Sequence, residues 1–203
     1  MKLLVDTDAF CKLGVAEFLR EMARIFDASL QECRRLPALP YMLKRGALRK
    51  QYGARACDAL IPIADTMPVM NRPSVTWLDK LTSIDAIDPG EAQIFAAAAE
   101  SDMIVISGDK RSLRALKGVE GFAEALAGRI VVIEAILLIL CDRLGQEPVR
   151  RQVAPLVASD NVVRICFSEE NLDPRKGLSS YYTALAADVE PLVLWNPQAK
   201  VEI

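Results

Sequence analysis

The chain is predicted to fold as an α/β protein, a three-layer α/β/α arrangement around a central parallel sheet, followed by a helical or mixed C-terminal extension. Two observations carry this. Short apolar runs without polar alternation, Leu3-Leu4-Val5, Met103-Ile104-Val105-Ile106 and Arg129–Ile133, read as strands covered on both faces. Helical patterns separate them, and that alternation is the signature of parallel strands joined by helical crossovers. Residues 1–145 hold the alternation and 146–203 form the extension, packed on the same domain.

Lys2–Val5 is the first strand, and it ends at Asp6-Thr7-Asp8. Ala9 opens a helical stretch, in which Val15, Phe18, Leu19, Met22, Ile25 and Phe26 recur at helical spacing. Leu36-Pro37-Ala38-Leu39-Pro40 suits a short strand or an extended entry. Tyr41–Arg55 is a basic helical stretch broken near Gly46 and Gly53, and Ala54–Ala64 is a further helix. Ser74 caps a short helix carrying Trp77, Leu78 and Leu81. Ile84–Asp88 reads as a short strand. Asp88-Pro89-Gly90-Glu91 then starts an alanine-rich helix, with Asp88 as N-cap, Pro89 where proline is tolerated and Glu91 in the first turn. Met103–Ile106 ends in Ser107-Gly108-Asp109-Lys110, with a helix beginning near Arg111. Glu134–Leu144 and Gln146–Val157 read as helices, Val162–Phe167 as a strand, Leu178–Ala187 as a helix and Pro191–Trp195 as an apolar run.

Composition removes several classes of chemistry. With no histidine, the usual general base, the commonest zinc ligand and the Ser-His and Cys-His pairs are absent. Lys and Arg number 25 against 27 Asp and Glu, so nucleic acid would have to be met by a local basic patch. The five cysteines show no metal-ligand spacing and read as reduced thiols of a cytoplasmic protein. The most apolar stretch, Ile130–Cys141, is interrupted by Glu134 and falls short of the ~20 residues of a membrane span. The first residues lack the length of a secretory core.

Ligands of parallel α/β sheets sit beyond the carboxyl ends of the strands. Asp6, Asp8 and Asp109 fall there, and Glu91 lies in the first turn of a helix behind. Such a cluster is costly without a counter-charge. It suits Mg²⁺ or Mn²⁺, and two such ions ~3.5–4 Å apart clamp both oxygens of a phosphodiester in displacement. Each acid also has a local structural use: Asp8 and Asp109 as helix caps, Glu91 against a helix dipole, Ser107 as a turn residue.

Leu3-Leu4-Val5-Asp6-Thr7-Asp8, Asp88-Pro89-Gly90-Glu91-Ala92 and Ile104-Val105-Ile106-Ser107-Gly108-Asp109-Lys110-Arg111 together resemble PIN domains, in order and spacing, over roughly residues 1–145. The resemblance implies a Mg²⁺- or Mn²⁺-dependent ribonuclease, often the toxin of a toxin–antitoxin pair and often dimeric. Asp6, Glu91 and Asp109 would be metal carboxylates and catalytic residues, Asp8 a further ligand and Ser107 a support. Lys44, Arg45, Arg49, Lys50 and Lys110 would be the contacts to RNA. One departure stands out. The family places another acid early in the helix after the second strand, where this chain has Pro40-Tyr41-Met42-Leu43-Lys44-Arg45. Asp58 and Glu32 are the possible substitutes. The departure leaves open a non-catalytic module of the same fold that binds RNA or a protein. Asp6-Thr7-Asp8 is also similar to the opening motif of haloacid dehalogenase-like phosphatases, although Lys110-Arg111-Ser112-Leu113 replaces the second acid of their late motif.

Overall fold

In the computed structural model, which describes residues 2–198, four parallel strands form one sheet in the order β2-β1-β3-β4. They are β1 (Leu3–Val5), β2 (Cys33–Arg34), β3 (Ile104–Ser107) and β4 (Ile130–Val132). Every residue of β1, β3 and β4 is buried whichever way it points, so helices cover the sheet on both faces. This is why their sequences carry no alternation.

The helices are α1 (Thr7–Val15), α2 (Leu19–Ile25), α3 (Leu39–Lys44), α4 (Ala47–Tyr52), α5 (Ala54–Thr66), α6 (Val75–Thr82) and α7 (Pro89–Ala99). They continue with α8 (Lys110–Leu116), α9 (Phe122–Ala125), α10 (Ile133–Leu144), α11 (Gln146–Val153), α12 (Asn161–Cys166) and α13 (Pro174–Asp188). The expected breaks of the basic stretch fall at Gly46 and Gly53, with φ of 94° and 85°, a region that residues with a Cβ seldom adopt.

The chain leaves β1 toward β2 on one side, then returns to build β3 and β4 on the other. Strand order therefore reverses between β1 and β3, and a crevice opens beyond their carboxyl ends. Register is set by Leu3↔Ile104, Leu4↔Val105 and Val5↔Ile106.

Three expectations are corrected. The second strand is Cys33–Arg34, just before the proline-bearing segment, and Leu39–Lys44 is helical. Pro37 and Pro40 lack the N–H a ladder needs, which leaves the pairing to their predecessors. Ile84–Asp88 is two tight turns, Ile84 N–H donating to Leu81 O and Ile87 N–H to Ile84 O, that seat Ile87 in the core. Val162–Phe167 lies mainly in helix α12. Asp160 caps it by accepting from Val163 N–H at 3.0 Å, and Val163, Cys166 and Phe167 bury one helical face.

The C-terminal segment is woven into the body. α13 packs along α10, the Ala154–Leu156 turn meets α1, and the Trp195 ring meets Phe26 edge-on at 5.2 Å. Leu194 bridges Ile130 in parallel, with Trp195 N–H donating to Ile130 O at 2.8 Å, so the tail extends the sheet beyond β4. Among the described residues no helix is long and apolar enough to cross a membrane.

Candidate functional site

Asp6 follows β1 directly. The ladder runs one residue further, Asp6 N–H donating to Ile106 O at 2.9 Å, which brings Asp6 opposite Ser107. Residues opposite one another in neighbouring parallel strands face the same way, so the Asp6 carboxyl and the Ser107 hydroxyl share one side of the sheet. Asp6 is only 5% exposed. Burial, then the charge of Asp8, pushes its carboxyl up to about 7, against partial relief from the backbone N–H groups of Thr7 and Asp8.

Glu91 is placed by the start of α7. Asp88 accepts from Gly90 and Glu91 N–H at 2.7 and 2.9 Å, and Glu91 accepts from Asp88 N–H at 2.8 Å. This reciprocal capping box explains the Asp-Pro-Gly-Glu motif in structural terms. It also holds the Glu91 carboxylate, 4% exposed, within reach of other acids. Burial and the nearby charges of Asp109, Asp88 and Asp6 push it up to about 8, although the Asp88 N–H bond works the other way. Asp109 caps α8 through Arg111 and Ser112 N–H at 2.7 and 3.0 Å. It is half-buried, and its second carboxylate oxygen takes no part in the cap.

Asp6, Glu91 and Asp109 thus share an electrostatic environment at the crevice, and among the described residues none of them is ion-paired to a Lys or Arg. Two hydroxyls add to this. Thr7 Oγ1 and Ser107 Oγ are buried with no hydrogen-bond partner among the described residues. Buried hydroxyls without a partner are rare in folded proteins and cluster where the structure serves something besides packing.

Asp8 has a different environment. Its carboxylate meets Lys12 Nζ at 2.8 Å and accepts from the Tyr52 hydroxyl at 3.3 Å. Lys12 reaches Asp160 at 2.8 Å, and Lys110 is bound to the buried Glu134 at 2.6 Å. Asp8, Lys12, Asp160, Lys110 and Glu134, with Asp109, line a cleft of about 390 Å³ whose other walls include Ile133 and Val162.

The basic stretch divides. Lys44, Arg45 and Lys50 are exposed, whereas Arg49 is held by Asp58 at 2.5 Å. Tyr52, the last residue of α4, joins this stretch to the carboxylate edge through Asp8. Neither possible substitute acid reaches that edge. Asp58 is on the surface with Arg49, and Glu32 accepts from Ser29 in its own capping box.

The residue types fit a hard divalent cation in one mode. Among the described residues no group of three or more His, Cys, Asp or Glu side chains forms a ready cage. Mg²⁺ keeps several waters and takes one or two carboxylates. Asp6 and Glu91, oxygen donors buried close enough to feel each other's charge, Asp6 lying opposite the unpartnered Ser107 hydroxyl, match that demand.

Comparison with protein-family models, with curated proteins and with solved structures finds no match to the chain.

Lys12, Glu134 and Asp160 are the site residues that sequence reasoning left out. Asp8 and Lys12 stand four apart at the start of a helix, a legible pairing signal. Glu134 is an acid inside an apolar run. Asp160 carries only a capping signal, and its role arises from tertiary placement.

Proposed function

We propose that the protein is a divalent-metal-dependent ribonuclease of the PIN type, with Asp6 as the central carboxylate of a Mg²⁺ or Mn²⁺ site shared with Glu91, and with Asp109 beside it to act through the ion's waters. The observation that carries this is Asp6 itself. It is a buried carboxyl without a cationic partner among the described residues, at the strand-order reversal, opposite the unpartnered Ser107 hydroxyl. Burying a carboxylate without a partner is costly, and the group either keeps its proton or awaits a cation.

When bound, the ion supplies positive charge against the charge that develops on a phosphodiester in hydrolysis. The chain's own groups do the rest. Asp6 and Glu91 would hold the cation, and Asp109, fixed by its cap on α8, would accept from a water bound to it. Ser107 and Thr7 hydroxyls orient ligands at the edge. Exposed Lys44, Arg45 and Lys50 meet RNA phosphates and lead the strand toward the site along α4. No histidine is needed.

The test is cleavage of an unstructured RNA with Mn²⁺ or Mg²⁺. Asp6→Asn is expected to lower the rate at least about 100-fold, as removal of a group that stabilises transition-state charge does. Full activity in Asp6→Asn removes the catalytic assignment. Steady phosphate release from a small phosphomonoester, without RNA cleavage, points to the phosphatase.

A second reading, a non-catalytic module that binds RNA or a protein partner, is favoured by the pairing of Asp8, Asp160 and Glu134 with lysines. RNA retention without cleavage in the presence of Mn²⁺ selects it.

A further inference from the structure

Lys12 is an unusual member of the carboxylate edge. Its ammonium sits 2.8 Å from Asp8 Oδ2 and 2.8 Å from Asp160 Oδ2, and its side chain is only 13% exposed. Burial works against its charge, yet the two carboxylates more than offset this and hold it above the ordinary lysine value. The Asp8 carboxylate is fixed from three sides: Lys12, the Tyr52 hydroxyl, and Gly108, whose missing side chain leaves room for Oδ2. A Cβ at Gly108 would lie 2.6 Å from that oxygen.

Two carboxylates drawn from distant parts of the chain onto one buried cation is the arrangement a divalent ion imposes when it bridges acids. Here the chain supplies the cation. Without it, Asp8 and Asp160 would face each other and Asp109 across one cleft, a like-charge arrangement that demands a counter-ion.

We propose that Lys12 stands in place of a second cation, so that the edge carries one divalent ion, at Asp6 and Glu91, instead of a pair. This rests on the reading of Asp6 as a cation ligand. It makes Lys12 a positioning residue that withdraws Asp8 from ligation, and it gives α12 a part in the site through Asp160.

The experiment counts Mn²⁺ bound per chain, by the signal of the free ion in electron paramagnetic resonance, for the full chain and for Lys12→Met. One ion in the wild type and two in Lys12→Met are expected. A purely structural Lys12 would alter the melting temperature and leave the count at one, which overturns the proposal. Two ions in the wild type overturn it as well. No ion in the wild type with one in Lys12→Met removes the Asp6 site but keeps Lys12 in the assigned role. No ion in either removes both. Should Lys12→Met fail to fold by circular dichroism, Lys12→Gln serves. It still donates hydrogen bonds to the acids without carrying charge, and the same counts apply.

Discussion

At the scale of the residue, the proposed site rests on carboxyls that the fold buries away from water. Asp6 has an ordinary value of 3.8 and is raised to about 7, and Glu91 goes from 4.5 to about 8. Between those limits the folded protein keeps protons that the unfolded chain has lost, so stability falls as pH rises through the window. In the presence of a chelator the protein is expected to melt at a higher temperature at pH 5 than at pH 8.5. Asp6→Asn, which removes the charge and keeps the shape, is expected to raise the melting temperature at pH 8.5 and to shrink the gap between the two pH values. Asp6's share is on the order of a few kcal/mol. A variant no more stable than wild type at pH 8.5 would refute the burial argument. These three acids were legible in the sequence because each carries a local signature: a strand end for Asp6, a capping box for Glu91, a glycine-preceded cap for Asp109. Lys12 carried a local signal in its spacing from Asp8, but its contact with Asp160 was not legible, because it depends on how residues far apart in the chain pack.

At the scale of the element, legibility followed length and caps. The alanine-rich α7 and the buried β3 were plain, since one combines a full N-terminal motif with a long run and the other is uniformly apolar. Ile84–Asp88 and Val162–Phe167 misled because short apolar patterns do not separate strand from turn or helix, and Asp160 decided the second. Two predictions belong here. Gly108 joins β3 to α8 and touches Asp8, so Gly108→Ala must displace a carboxylate held by Lys12 and Tyr52. A loss of about 1–3 kcal/mol in denaturant unfolding is expected, the range for overpacking, and an unchanged midpoint would show that Asp8 is loosely held. The α3–α4 stretch gives the other. Replacing Lys44, Arg45 and Lys50 together by alanine is expected to lower the slope of log affinity for single-stranded RNA against log salt by about 2, at roughly 0.7 per phosphate contact. An unchanged slope would place the RNA track elsewhere.

At the scale of the whole molecule, a boundary at residue 145 is what a reader of the strand–helix alternation would draw, and the packing makes residues 146–198 a structural part of what precedes them. α13 packs along α10 and α12 and buries Leu178 and Leu185, and Val149, Val153 and Leu156 are buried before them. Trp195 covers Phe26 and bonds the β4 edge, while Asp160 closes an ion pair with α1. Removing residues 146–203 would strip α10 of α11 and α13, against which it packs, and bare apolar side chains along it. Each such side chain exposed forfeits about 1.5–3 kcal/mol, and several together exceed the ~5–15 kcal/mol that holds a domain folded. A chain ending at Gly145 is therefore expected to lack a cooperative thermal transition, bind a hydrophobic dye and show no amide protection in β4, whereas the full chain melts in one step. A truncated chain that unfolds cooperatively within a few degrees of the full protein would make residues 146–203 a true appendage, and would detach Asp160 from any required part in the site.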